Sequence, residues 1–541
     1  MVRIGIVCNG LDFPGHQAQI IKGILSDTRL EIALLVTRAS TGSSPDRPVS
    51  ERLNDLFYSV VTRAESILTK NRSDVPHIDE MISLTFELKN VPIISIDPNP
   101  NSATASTTID AIQEHRCDVL LQFDSAAPDA ALSEFARLGV WRFDFADGEL
   151  YRGGPAGFWE WYDDHPYSGV TLRVLGGVNG VKRTINRAIY STYRLSWNEN
   201  RRRMFDRSRT LMLDCLDQVA KTNSVRTAKS NIVFDKILRT TPSIVIILIS
   251  IVKYIFRIIF RTIYKSIWKV QFGIATAPVD KTNIEFNKFD DLHFPDKKLF
   301  WADPFIVNKD SSNFVFVEEL YYKDGVGTIN CLEFRDGELL SNDVVLKKPY
   351  HLSYPFIFRH DDTYFMCPET SNNRTIDVYR CVDFPLKWEH QQTLMDDIYA
   401  CETSIHELNG KWWLFTNIAR NSFNECNYEL HLFSSDDPLG RDWVPHPLNP
   451  VVQDAGRARN GGGVMTLDNQ LYRMAQGLDG RTYGSNFIVN RIVTLNETEY
   501  EEKLVQKVFP NWHAELQGTH HFVVSDDVAV VDFWRPIFKY S

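Results

Sequence analysis

At 541 residues the chain is too long for a single hydrophobic core, and two or three domains are expected. With 24% charged and 12% aromatic residues its composition is that of an ordinary globular protein. Its eight cysteines are scattered with no C-x-x-C pair, which argues for a reducing compartment and against a disulfide framework or a zinc site. The net charge of −10 hides a basic block: residues 181–270 carry 19 Lys and Arg against 5 Asp and Glu, which points to a localised anionic partner. The segment Met1–Val7 lacks the long apolar run of a secretory signal and reads as a first strand.

The N-terminal third alternates β-branched apolar runs (Ile4–Val7, Ile32–Val36, Val91–Ile96, Val119–Phe123) with helical stretches such as Gln17–Leu25 and Thr107–Glu114. This alternation predicts an α/β domain on a parallel sheet over residues 1–200. The loop Asn9–Gly15 is not a G-x-G-x-x-G fingerprint, so no dinucleotide site is expected. Then come Tyr151-Arg152-Gly153-Gly154-Pro155, Trp159, and Ser168-Gly169-Val170-Thr171-Leu172. These resemble the formyltransferase family of the methionyl-tRNA and sugar-nucleotide types, in which a Y-R-G-x-x-P element precedes a T-G-V-T strand. The specific part of the likeness is 139–180. It implies a catalytic asparagine and histidine before the Y-R-G element and an aspartate after the strand. Arg142 and Asp144 hold the first two positions, and Leu175-Gly176-Gly177-Val178-Asn179-Gly180 has no carboxylate. Formyl transfer needs a base for the amine and a donor for the oxyanion. Arg142, Asp144 and Arg152 are therefore read as a degenerate site on a retained scaffold.

Residues 201–272 form a basic helical linker. Within it, 243–270 opens with Ser243–Val252, which has no charge, and continues with Lys253, Arg257, Arg261, Lys265 and Lys269 at every fourth position among isoleucines and aromatics. Spacing by four makes a slowly winding cationic stripe on a helix. About ten uncharged residues are too few to span a bilayer. A helix lying in an anionic membrane interface is expected, its cations toward lipid headgroups, with a re-entrant hairpin or a buried inter-domain helix as alternatives. Arg201-Arg202-Arg203 just upstream fit either phosphate contacts or a solvated helix face. The block is interleaved with aliphatic residues, so no nucleic-acid partner is expected.

Residues 273–541 carry a unit of about 50 residues five times. Trp301-Ala302-Asp303-Pro304-Phe305, Leu352-Ser353-Tyr354-Pro355-Phe356 and Ala400-Cys401-Glu402-Thr403-Ser404 are equivalent, with fainter copies near Asn460 and Thr519. This predicts an all-β five-bladed propeller, closed by a strand near Thr282–Phe286 pairing with Val528–Phe533. Asp303, Tyr354 and Glu402 share the third place of the innermost strand and converge on the central funnel. A second polar ring is read from Glu319, Glu369, Asn417 and Gln476. Two converging carboxylates suit glycoside chemistry.

The region resembles the five-bladed arabinanase and β-xylosidase type of glycoside hydrolase. That likeness implies a blade-one base, Asp303, and a blade-three acid, Glu402, with Tyr354 replacing an aspartate that tunes the acid. Arg459, His520 and His521 match places where such propellers put substrate or central-ion groups. Tyr350-His351-Leu352-Ser353-Tyr354-Pro355 with Cys367-Pro368-Glu369-Thr370 also resembles the N-terminal region of plant glucosamine inositolphosphorylceramide transferases. Those act on membrane glycolipids, and a separate domain is credited with their transfer chemistry.

The expectation is thus a multidomain, membrane-associated, carbohydrate-active protein, cytoplasmic and peripheral or monotopic on the inner membrane face. It would hydrolyse or transfer sugar on a glycolipid or surface polysaccharide. Asp303 and Glu402 would be catalytic, with Tyr354, Glu369, Glu319, Arg459, His520, His521 and Trp301 binding substrate. No motif demands a cofactor or metal, while a central ion remains open. The other readings are a non-catalytic glycan-binding scaffold and an acyl or formyl transferase acting on an amino sugar. Asp-Pro is also a good turn, and repeats reuse polar residues to tie blades together.

Overall fold

The computed structural model describes residues 1–38, 48–69, 78–96, 105–124, 131–148, 151–175, 183–225, 238–279, 285–408, 410–478, 484–525 and 528–540. The chain forms two compact units, Met1–Arg257 with Asn421–Phe423, and Ile258–Arg420 with Asn424–Ser541.

The first unit is built on a seven-stranded sheet in the spatial order Ile93–Ile96, Leu30–Arg38, Val2–Cys8, Val119–Gln122, Val140–Asp144, Tyr167–Leu175, Arg183–Ser191. The first five strands are parallel and the last two antiparallel. Val119–Gln122 is buried along its whole length, as a strand covered on both faces must be. Helix Trp197–Thr222 starts at an S-x-x-E capping box in which Ser196 Oγ accepts from the Glu199 amide at 2.9 Å. The three consecutive arginines are absorbed in ion pairs: Arg201 with Asp79 at 3.0 Å, Arg202 and Arg203 with Glu199 at 3.2 and 3.3 Å. The segment 176–180, where the family's aspartate was sought, lies outside the described residues.

The apolar, basic stretch forms one helix, Ile244–Ile267. Its cations do not line a lipid-facing stripe, as expected from the sequence. Lys253 Nζ donates to the Tyr162 carbonyl at 2.7 Å. Arg257 donates to the Arg194 and Trp161 carbonyls, at 3.1 and 3.2 Å, pairs with Asp164 and lies over the Trp161 ring. Aromatic rings and backbone carbonyls of the first unit thus receive these two cations. Arg261 and Lys265 stay exposed. Lys269 is not helical: it belongs to strand Trp268–Pro278 and lies over the Tyr322 ring. No described helix is long and apolar enough to cross a membrane.

The second unit is a five-bladed β-propeller. Blades one to four run from innermost to outermost strand in chain order and begin at Leu299–Lys309, Ser353–His360, Ala400–Leu408 and Asn460–Leu467. Blade five is composite, in the order Phe522–Ser525, Val528–Phe538, Trp268–Pro278, Asp291–His293. Ring closure is therefore made by Trp268–Pro278, which pairs with Val528–Phe538 from Trp268↔Phe538 to Pro278↔Val528. The strand expected near Thr282–Phe286 is not the closing one, and 280–284 lie outside the described residues.

The innermost strands of blades one to four bulge at the same place. The registers slip between Ala302 and Phe305, Ser353 and Phe356, Cys401 and Ser404, and Asn460 and Val464. Inside the first three bulges Asp303, Tyr354 and Glu402 adopt φ of 52°, 46° and 52°. The left-handed region costs about 1–2 kcal/mol for such residues and marks a side chain re-aimed by its bulge. Blade four fills its bulge with Gly461, Gly462 and Gly463 and projects no side chain.

A Cβ on Gly462 would lie 1.9 Å from the Phe522 carbonyl oxygen, at φ 131°. Gly462→Ala should lower stability by about 1–3 kcal/mol or more, the range of forced overpacking. Gly337→Ala, with φ 82° but nothing within 4 Å, is the control that carries strain alone. Thermal unfolding checks this: equal losses for the two variants would show that the close approach does not matter.

Candidate functional site

The three bulges bring Asp303, Tyr354 and Glu402 to a buried axial cluster, only 4%, 0% and 1% exposed. Arg459 enters from the segment before the first strand of blade four, and His520 and His521 from the approach to Phe522–Ser525. Arg459 grips Glu402: its Nε and Nη2 donate to Oε1 at 3.0 and 2.6 Å, while Nη1 donates to Asn427 Oδ1 at 2.8 Å. Gln476 Nε2 adds a third hydrogen bond to Oε1 at 3.1 Å. Glu402 Oε2, Glu369 Oε2 and Ser404 Oγ are buried and meet no hydrogen-bonding partner among the described residues. Buried polar atoms are nearly always satisfied, so these oxygens call for ordered water or a polar ligand.

The two acids sit in opposed environments. Burial works to raise Asp303, but His521, whose Nδ1 lies 3.6 Å away, together with His520 and Arg459 outweighs it and holds the carboxyl below its ordinary range. Burial pushes Glu402 well above that range; Arg459 opposes the shift, and the negative charges of Asp303 and Glu369 reinforce it. Burial would lower His520, yet Asp532, Asp303 and Glu402 raise it to about 9. Tyr354 is pushed up by burial and by Glu402, and its hydroxyl accepts from the Gly462 amide at 3.3 Å. The two carboxyls are thus pushed in opposite directions, Asp303 toward the ionised form and Glu402 toward the protonated one.

A second shell fixes these groups. Asn417 Oδ1 accepts from the Asn460 amide at 2.9 Å, and Asn460 Nδ2 donates to the Glu402 carbonyl at 2.8 Å. Arg473 is fully buried, with Nε and Nη2 each 2.8 Å from a Glu502 oxygen, and it donates to the Arg457 carbonyl at 2.7 Å. That bidentate pair pins the turn from which Arg459 projects.

The second polar ring needs one correction. The cross-strand pairs are Ala302↔Glu318, Ser353↔Glu369 and Cys401↔Asn417, so Glu318, not Glu319, is the blade-one equivalent. Because side chains alternate along a strand, a slip of one residue selects the wrong face. Glu318 pairs with His351 at 3.2 Å and feels Asp303 and Glu369. Glu319 instead accepts from Trp301 Nε1 at 2.9 Å and Asn342 Nδ2 at 2.7 Å, and Trp301 belongs to a hydrophobic core cluster. These contacts occupy Trp301 and Glu319 within blade one rather than on the axis. Sequence reading also missed Asp532, an acid inside the apolar strand Val528–Phe538; that oddity was its available signal.

Asp303, His520 and Asp532 bring one potential metal-ligating atom each within 4.8 Å of one another. The fit to a cation is poor. Asp532 Oδ1 accepts from the His520 and His521 amides at 2.9 and 3.0 Å, and Oδ2 is bound by His520 Nδ1. Both Asp532 oxygens are thus spent, while Asp303 Oδ1 meets no hydrogen-bonding partner among the described residues.

In the first unit Asp144 pairs with Arg173 at 2.7 Å. Burial raises its carboxyl, against the charges of Arg173, Arg142 and Arg152. The three residues read as a degenerate site are thus near one another, with Arg173 added.

The fold and site define a five-bladed propeller with an acidic, buried axial centre. Residues 265–518 match the family described as "Glucosamine inositolphosphorylceramide transferase 1, N-terminal". A protein of that name from Oryza sativa subsp. japonica is 32% identical over 209 residues, which is 38% of this chain and 27% of the rice protein. The match therefore spans about a quarter of that relative's length. Among solved structures, the family 117 glycoside hydrolase Zg3597 of Zobellia galactanivorans has 11% identity and a TM-score of 0.33, over 49% of this chain and 90% of its own. A phosphoribosylglycinamide formyltransferase of Anaplasma phagocytophilum has 11% identity and a TM-score of 0.28, over 43% of this chain and 96% of its own.

His520 is held at about 9 in the folded state, above the roughly 6.5 of an unfolded histidine. Its stabilising contribution is complete below the unfolded value and is lost as pH rises from there through about 9. The melting temperature should therefore fall across that window, and His520→Gln should flatten the fall. A variant whose profile keeps the wild-type slope would remove His520 as its cause.

Proposed function

We propose that the propeller acts on a glycan displayed on a lipid or a surface polymer, transferring or hydrolysing a glycosyl group. Asp303, held ionised by the histidines and Arg459, accepts the proton of the attacking hydroxyl or water. The attacking oxygen bonds to the anomeric carbon as the bond to the leaving oxygen breaks, and Glu402 gives that oxygen its proton. The observation that carries this reading is the opposed environment of two acids set at the same bulge of two blades. Glu402 Oε2, the oxygen Arg459 does not hold, is the one disposed to donate. The name of the matched family supports an inositolphosphorylceramide-type glycolipid as the class of substrate, and Tyr354 beside the acid supports a sugar acceptor over water.

Arg459's grip on Glu402 favours a second reading, in which the centre binds sugar without chemistry. Near-isosteric variants separate the two. Asp303→Asn and Glu402→Gln should each fold, still bind glycan, and lose about a hundredfold or more in turnover. Two folded variants that support wild-type glycan production in the host would leave only the binding reading.

A further inference from the structure

We propose that helix Ile244–Ile267 lies flat in the surface of a lipid bilayer by its outward apolar face, with its cations on the other side. This claim is independent of the chemistry assigned to the propeller.

The outward face is apolar along the whole helix. Val252, Phe256 and Ile259 are 68%, 67% and 53% exposed, and Val245, Leu248, Ile249, Ile255, Phe260 and Ile263 are exposed beside them. At 100° per residue these positions fall within roughly 140° of the circumference, and no charged residue falls in that arc. Lys253, Arg257, Arg261 and Lys265 lie on the other side, where the first two are taken up by Tyr162, Trp161, Arg194 and Asp164. A neighbouring helix, Val49–Thr69, extends the surface. Asn54 Oδ1 accepts from the Ile244 amide at 3.2 Å, and Tyr58 and Val61 share a core cluster with Ile246 and Tyr254. Its own outward stripe is Val49, Leu53, Leu56, Val60 and Ile67.

Three features select a bilayer as the occupant. The helix contains no acid, and Arg261 and Lys265 remain exposed opposite the apolar arc, the basic polar face of an interfacial helix that anionic headgroups attract. Trp268, Phe538 and Tyr540 are exposed where the helix ends, and such aromatics favour the membrane–water boundary. Finally, the face is long and unbroken but the helix is not fit to span, so insertion is lateral.

The test is flotation of the full chain with vesicles of phosphatidylcholine, alone or mixed with phosphatidylglycerol. Wild type should float with both and more with the anionic mixture. The quadruple variant Val252→Gln, Phe256→Gln, Ile259→Gln, Ile263→Gln changes outward positions alone; it should keep its circular dichroism and melting temperature and lose about tenfold or more in vesicle partitioning. Arg261→Gln with Lys265→Gln should remove the preference for anionic vesicles while leaving neutral binding. Wild type that stays with the soluble fraction, or a folded quadruple variant that floats like wild type, would overturn the proposal. So would light scattering that shows a dimer broken by the quadruple variant in the absence of lipid, since the face would then be covered by a second copy.

Discussion

Everything at the propeller centre depends on one β-ladder, that between Trp268–Pro278 and Val528–Phe538. A propeller is a ring of sheets, and a ring with a gap exposes two strand edges and leaves the innermost strands without a common axis. Here the gap is closed by strands from opposite ends of the propeller segment, zipped over the length of both. Asp532 sits within this ladder and holds the His520 and His521 amides, so the closing strand also orders the blade-five side of the site. Closure and site construction are the same event.

The centre then solves an electrostatic problem. It collects Asp303, Glu318, Glu369, Glu402 and Asp532 where water is largely excluded, and like charges there cannot all be ionised. Arg459, His520 and His351 offset part of that charge, and burial with the neighbouring acids pushes Glu402 toward holding a proton. The Arg473–Glu502 pair shows the structural counterpart: a fully buried arginine whose guanidinium is saturated by a carboxylate and backbone carbonyls. Buried pairs of this kind are poor stabilisers but good at fixing one arrangement. Its position, bonded to the carbonyl two residues before Arg459, suits that use.

The helix Ile244–Ile267 illustrates how side-chain context overrides pattern. Five regularly spaced cations read as a lipid-facing stripe. Two of them instead satisfy carbonyls and aromatic faces of the first unit, and their removal to that side is what turns an apolar surface outward. Changing Arg257 would thus damage the protein's own packing rather than report on a surface.

The sequence by itself determined the period, and with it the propeller, because each blade must repeat a strand pattern of fixed length and alternate its side chains. It likewise determined that Asp303, Tyr354 and Glu402 are equivalent, since the residues flanking them repeat, and it marked the parallel sheet through runs apolar on both faces. Tertiary structure decided what is nonlocal. Which strand closes the ring depends on pairing across more than two hundred residues, and Trp268–Pro278 reads in isolation as the tail of a helix. Whether Glu318 or Glu319 faces the axis depends on register, where one residue reverses the answer. The opposed shifts of Asp303 and Glu402 arise from burial and from His520, His521, Arg459 and Glu369, which are distant in the chain and adjacent only once the blades meet. Periodicity is a local property of the chain, whereas charge environment and strand partnership belong to the assembled ring.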